Sequence, residues 1–190
     1  MNVLIVSATA QEVQTDYPHL VTGAGMVATA IAVSKALAEK HYDLVVNAGI
    51  AGSFNRSIPL GSVVEVVKDQ LSEMGAQDGS QFLSPIEMGL EAVALVEMPA
   101  KTNLTAVSGI TVNTVHGDDK VISQIVHRLN PQVESMEGAA CMLACQKVGV
   151  SCVQIRAISN YVEKRNKANW DIPLAIQNLN HELSIFLAKI

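Results

Sequence analysis

The sequence predicts an α/β fold. Short β-branched, apolar runs alternate with stretches of helical period along the chain, and no block of strands stands apart from a block of helices. With 190 residues and 49% hydrophobic content there is enough chain for one substantial core. One globular domain over residues 1–190 is expected, a tight two-lobed arrangement being the alternative.

The elements follow in order. NVLIVS (2–7) is a continuous apolar run of strand length, and HLVTG (19–23) is a second strand closed by glycine. GMVATAIAVSKALAEK (25–40) is too long and alanine-rich for a strand and reads as a helix. DLVVNAG (43–49), SVVEVV (62–67) and SGITVNTV (108–115) are built from residues that fit a pleated surface. Residues 119–129 are helical by pattern, QVESM (132–136) is extended, GAACMLACQKV (138–148) is helical, SCVQIRAIS (151–159) is a strand, and 173–189 form a closing amphipathic helix. Residues 68–106 carry glycines and polar residues with little periodicity, and are expected to loop over one end of the sheet.

Composition narrows the partner. A net charge of -5 without a Lys or Arg cluster argues against nucleic acid and anionic membranes, whose binding depends on a basic surface, so a small ligand is expected. No apolar run reaches the roughly 18 residues of a membrane span, and MNVLIVSATA has no basic region of the kind that opens a signal peptide; the expected location is cytoplasmic. Cys141, Cys145 and Cys152 have no histidine partner pattern and are expected to be buried free thiols rather than metal ligands or a disulfide.

Ligands of α/β sheets usually lie beyond the carboxyl ends of the strands, and several segments there carry chemistry. In LVTGAGMVATA (20–30), Gly23, Gly25 and Ala28 match the spacing of a dinucleotide fingerprint, but the motif does not follow the first strand, and the next strand carries Asn47 instead of an acidic residue. A backbone turn beside a ligand and plain packing remain open readings. NAGIAGS (47–53), with Ile50, Ala51 and Gly52, closes a strand with small residues whose amides can approach a ligand, or simply turns. Glu12 follows strand one and by itself reads as a solvated charge. Arg156 lies inside an apolar run, where a guanidinium needs a carboxylate or polar pocket, and Ser159 and Asn160 end the same strand with neutral hydrogen-bonding groups. Glu137 puts one carboxylate directly before the helical GAACMLACQKV.

In that order, SATAQE, TGAGMVATA, NAGIAG, SMEGAA and RAISN resemble the nucleoside phosphorylase and nucleosidase family of N-glycosidic bond cleavers over nearly the whole chain. SMEGAA followed by RAISN is the specific part. Within the family, TVNTVHG, VESMEGAA, RAISNYVEKRN and WDIPLAI are most similar to the futalosine hydrolases. The resemblance implies a nucleoside phosphorylase-like, three-layer α/β/α fold with a mixed central sheet, a nucleoside substrate, no metal or cofactor, and a homo-oligomer, dimer or tetramer.

The resemblance also implies roles. Glu137 would accept hydrogen bonds from the ribose hydroxyls with Met136 packed on the sugar, Glu12 would orient and deprotonate the attacking water, and Arg156 would help position it. Asn160 departs from the family's methylthioadenosine and adenosylhomocysteine nucleosidases, which carry aspartate there. An amide can donate to O6 of a 6-oxopurine and accept from a protonated N7, so Asn160 favours a hypoxanthine-type leaving group, while the source of the N7 proton stays open. Phe82 is either an aromatic face for substrate or a packing residue, His116 either a loop histidine or a substrate contact, and YVEKRNKANW (161–170) a solvated loop or lid in which Arg165 is a candidate clamp for a substrate carboxylate. No Lys or Arg occurs in residues 1–34, which argues for water over phosphate as nucleophile. The alternatives are a methylthioadenosine or adenosylhomocysteine nucleosidase, a purine nucleoside phosphorylase, and a nucleoside-binding regulator without turnover. Glu12, Glu137 and Arg156 together argue against the last, since a binder needs no water-positioning base.

Overall fold

A computed structural model of the chain describes residues 1–190. The strands are β1 (Val3–Ser7), β2 (His19–Val21), β3 (Leu44–Ser53), β4 (Val63–Leu71), β5 (Ala76–Asp78), β6 (Gln81–Leu83), β7 (Leu95–Glu97), β8 (Thr105–Thr111), β9 (Val133–Ser135) and β10 (Ser151–Tyr161). The helices are α1 (Met26–Glu39), α2 (Asp119–Leu129), α3 (Gly138–Lys147) and α4 (Ile172–Leu187). Two helix starts carry side-chain caps: Asp118 accepts the N–H groups of Lys120 and Val121, and Asp171 that of Leu174, each worth about 1 kcal/mol.

Eight strands form one mixed sheet. β1 lies parallel to both β2 and β3, and β3 runs parallel to β10 along its whole length. β10 pairs antiparallel with β4, β4 parallel with β8, β8 parallel with β9, and β9 antiparallel with the far end of β3. The strands β3, β10, β4, β8 and β9 therefore close on themselves, and β1 and β2 extend the sheet from β3.

Side-chain alternation sorts the helices. Val3, Ile5, Leu44, Val46, Val153 and Ile155 point to α4, where they meet Ala175, Leu179 and Leu183. Their neighbours Leu4, Val6, Val45 and Cys152 face α1 and α3, meeting Val33, Cys141, Met142 and Cys145. Helices thus cover both faces, giving the expected three layers. The three cysteines are free and buried, with their Sγ atoms within 4.8 Å of one another. No helix is long and apolar enough to cross a membrane.

Two sequence expectations need correction. NAGIAGS does not turn: β3 continues through Ser53, paired with β10 and then β9. Residues 68–106 are not simply loops, since they complete β4, form the β5–β6 hairpin and supply β7, which pairs with β4. Three-residue strands are too short to show periodicity and exist here because a partner strand holds them.

Candidate active site

The carboxyl ends of β1, β3 and β10 and the junction between β9 and α3 surround a cavity of about 320 Å³. Glu12, Ile50, Ala51, Gly52, Met136, Glu137, Ser159 and Asn160 all line it. Phe82 does not. Its ring lies on the hairpin strand β6 beneath the Arg128 guanidinium, 3.7 Å from ring centre to Cζ, and faces a neighbouring cleft, so the packing alternative replaces the substrate-face reading.

The two carboxylates that stand far apart in sequence share this cavity, each mostly buried. Glu12 is held by its own loop and by β3: Oε2 accepts the Thr9 N–H at 2.9 Å and the Thr9 hydroxyl at 3.1 Å, and Oε1 accepts the Ile50 N–H at 3.2 Å. Glu137 precedes the first turn of α3, and its Oε1 accepts the N–H of Gly25 at 3.0 Å. Gly25 is the N-cap of α1 at φ 100, a backbone state that favours glycine. The GAG turn therefore serves the carboxylate through a backbone amide, and the positive ends of two helices, α1 and α3, meet at Glu137.

Arg156 is buried under this floor on the α3 side of β10. Its Nε donates to Gln154 Oε1 at 3.0 Å, its Nη2 donates to Asn47 Oδ1, and its Nη1 lies 3.9 Å from Glu137 Oε2. A Cβ on Gly49 would overlap Arg156 Nη1 and stand 3.0 Å from Glu12 Oε1. The small residues of NAGIAG thus leave room for a guanidinium lying between the two acids.

Residues 18–188 match the family model of the phosphorylase superfamily. The chain belongs to the phosphorylase superfamily. A futalosine hydrolase of Acidothermus cellulolyticus is 33% identical over 175 residues, covering 85% of this chain and 71% of that protein. The solved structure of a futalosine hydrolase of Helicobacter pylori superposes with a TM-score of 0.84 at 14% identity, covering 99% of this chain and 97% of that one. A 5′-methylthioadenosine/S-adenosylhomocysteine nucleosidase of Helicobacter pylori, solved with butyl-thio-DADMe-Immucillin-A, gives the same TM-score at 14% identity, covering 99% and 98%.

Within this phosphorylase-superfamily fold the structure adds residues that sequence reasoning missed. Glu134 of β9 pairs in register with Gly52, which pairs on its other side with Asn160 of β10. A Cβ on Gly52 would meet Asn160 Nδ2 at 3.1 Å and Glu134 Cγ at 3.6 Å, so the two side chains converge over a glycine. Glu134 is buried, its Oε2 lies 2.6 Å from His116 Nδ1, and its Oε1 accepts the His116 N–H at 3.0 Å. The available signal was a charge inside the buried strand VES, the same signal that singled out Arg156. Arg165, a candidate already from the sequence, reaches the cavity wall together with Trp170, the guanidinium 5.2 Å from the indole centre.

A further buried acid, Asp69, lies beneath the cavity floor. Asp69 accepts from Thr111 Oγ1 at 3.0 Å and from Gln154 Nε2 at 2.9 Å, and Thr111 Oγ1 in turn accepts the Ala139 N–H at 2.7 Å. Burial pushes its carboxyl up from 3.8 to about 6, against the opposing pull of Gln154, Thr111 and Arg156. With the folded value above the unfolded one, the contribution to stability is full below about pH 4 and is lost as pH rises through about 6, a change of about 3 kcal/mol. Asp69→Asn removes this titration. The stability of the variant relative to the parent is expected to rise by about 2–3 kcal/mol between pH 4 and pH 7, read from urea unfolding at both; a difference independent of pH would refute the assignment.

Proposed function

We propose that the chain hydrolyses the N-glycosidic bond of futalosine, releasing hypoxanthine, as a step of the alternative menaquinone route. The carrying observation is that Glu12 and Glu137 line one cavity with Arg156 buried between them. Cleavage passes through an oxocarbenium-like sugar, so the protein must bind a polyol, stabilise positive charge, activate water and let the purine depart neutral. Glu137 binds the ribose hydroxyls beside Met136, and its charge favours the developing cation. Glu12, fixed by the Thr9 and Ile50 amides, orients the water and takes its proton. Arg156 sets the spacing of the two acids through its rigid fork. Ile50, Ala51, Gly52 and Ser159 shape the wall, and Asn160 meets the purine edge. Arg165, beside Trp170 on the cavity wall, would clamp a distal carboxylate of the substrate.

The three nitrogens of Arg156 are directed at Gln154, Asn47 and Glu137, and Arg165 is exposed, so no buried cation is free to hold phosphate; this supports water as nucleophile. The test is incubation with futalosine, inosine or methylthioadenosine, with and without phosphate, following free purine. Hypoxanthine is expected from futalosine at a rate that phosphate leaves unchanged. Dependence on phosphate would make the protein a phosphorylase, faster cleavage of methylthioadenosine an adenine nucleosidase, and no release from any substrate a binder.

A homo-oligomer, dimer or tetramer, belongs to the same proposal. Val27, Ile31 and Val148 stand exposed on adjoining faces of α1 and of the segment after α3, an apolar surface suited to self-association. Light scattering should return a mass of at least twice 20.2 kDa, and a monomer would remove this part.

A further inference from the structure

Resting on the nucleosidase reading, the hydrolytic step lacks a proton for the departing purine: Asn160 is an amide, and a guanidinium such as Arg165 does not give up its proton. We propose that His116, oriented by Glu134, is the catalytic acid that protonates N7 of the leaving base. His116 lines the cavity from the loop after β8, and Glu134, which holds it, converges with Asn160 over Gly52. The imidazole is thereby placed at the same end of the cavity as the side chain that meets the purine edge. The Nδ1 contact to Glu134 at 2.6 Å and the backbone N–H bond at 3.0 Å lock ring and loop to one carboxylate. Nε2 has no hydrogen-bond partner within the protein. A carboxylate that receives one imidazole nitrogen and leaves the other facing a cavity is the arrangement that fixes a histidine for proton transfer. The remaining acid at this end, Glu163, is bound to Arg56 and Asn169.

The step balances without a further reactant. The water oxygen bonds to C1′ as the C1′–N9 bond breaks and its electron pair passes to the purine. The proton on Nε2 of His116 moves to N7, so the base leaves neutral, while the water proton passes to Glu12. Exchange with solvent then restores both groups.

The experiment compares futalosine with futalosine methylated at N7, whose base leaves neutral without accepting a proton. In His116→Gln, kcat for futalosine should fall by roughly 10²–10³-fold, while kcat for the methylated substrate should change less than about 5-fold. Equal losses on both substrates would reduce His116 to a structural residue, and unchanged activity on both would remove it from the reaction. If the glutamine variant is unstable, His116→Ala is read on the same pair, with restoration of futalosine cleavage by added imidazole expected and its absence counting against the proposal. Parent protein that releases no purine from either substrate would refute the nucleosidase reading itself, an outcome distinct from any of these.

Discussion

Glu12→Gln is expected to fold and to lose about 10³-fold in kcat, some 4 kcal/mol of transition-state stabilisation. Removing the base leaves a side chain of the same shape that cannot take the proton of the attacking water. The structural cost is much smaller. Glutamine keeps one oxygen to accept from Ile50 or from Thr9, and its amide can donate to the Thr9 hydroxyl, so one backbone N–H loses its acceptor. Such a loss costs about 1–2 kcal/mol. Two measurements separate the effects: single-turnover release of hypoxanthine, and the urea midpoint. A kcat within a few fold of the parent would take Glu12 out of the mechanism, and the proposal of a water-activating acid opposite Glu137 would go with it.

The legible parts of the site were those where one residue broke a strong local pattern. Arg156 inside an apolar strand demanded a partner, and Glu137 before a helix of small residues demanded a use; both sit where that logic places them. Of the two readings of NAGIAGS the turn fails, because its glycines and alanines keep β3 extended and thin enough for Arg156 to lie against it. The closure of the sheet was not readable. It depends on β9, three residues long, and on an antiparallel pairing of β4 with β10 between segments far apart in sequence. Glu65 and Asp69 carried the same signal as Arg156, charges in a valine-rich run, and both are buried. Glu65 accepts the backbone amides of Lys101 and Thr102 at 2.8 and 2.9 Å and so ties down the approach to β8. The pairing of His116 with Glu134 links a loop to a strand 18 positions away, a contact that no spacing rule for helices or strands encodes.

Asn160→Asp should reverse the preference between leaving groups. The parent amide accepts the Ser159 hydroxyl at 2.8 Å on Oδ1 and donates from Nδ2 to the Tyr161 carbonyl at 3.0 Å, so it presents a donor and an acceptor at the strand end. A 6-oxopurine offers an acceptor at O6 and, once protonated, a donor at N7, which that pair of groups can match. A carboxylate accepts only. It would face O6 and the Tyr161 carbonyl with like partial charges, but would accept well from the amino group of a 6-aminopurine. Because Glu134 converges on the same glycine, a second carboxylate would also sit beside an existing one, and like charges at that distance hold a proton more tightly. Either purine can take that proton at N7, so the discrimination rests on the group at position 6, where the carboxylate left behind accepts but does not donate. The ratio of kcat/KM for futalosine to that for methylthioadenosine is therefore expected to fall by on the order of 10³-fold, the range over which sites built to hydrogen-bond one functional group reject its mismatch. The readout is the ratio and not either rate alone, since loss of the Tyr161 bond lowers both equally through the strand end. An unchanged ratio would assign Asn160 to the support of β10 and leave the choice of purine to other residues of the wall.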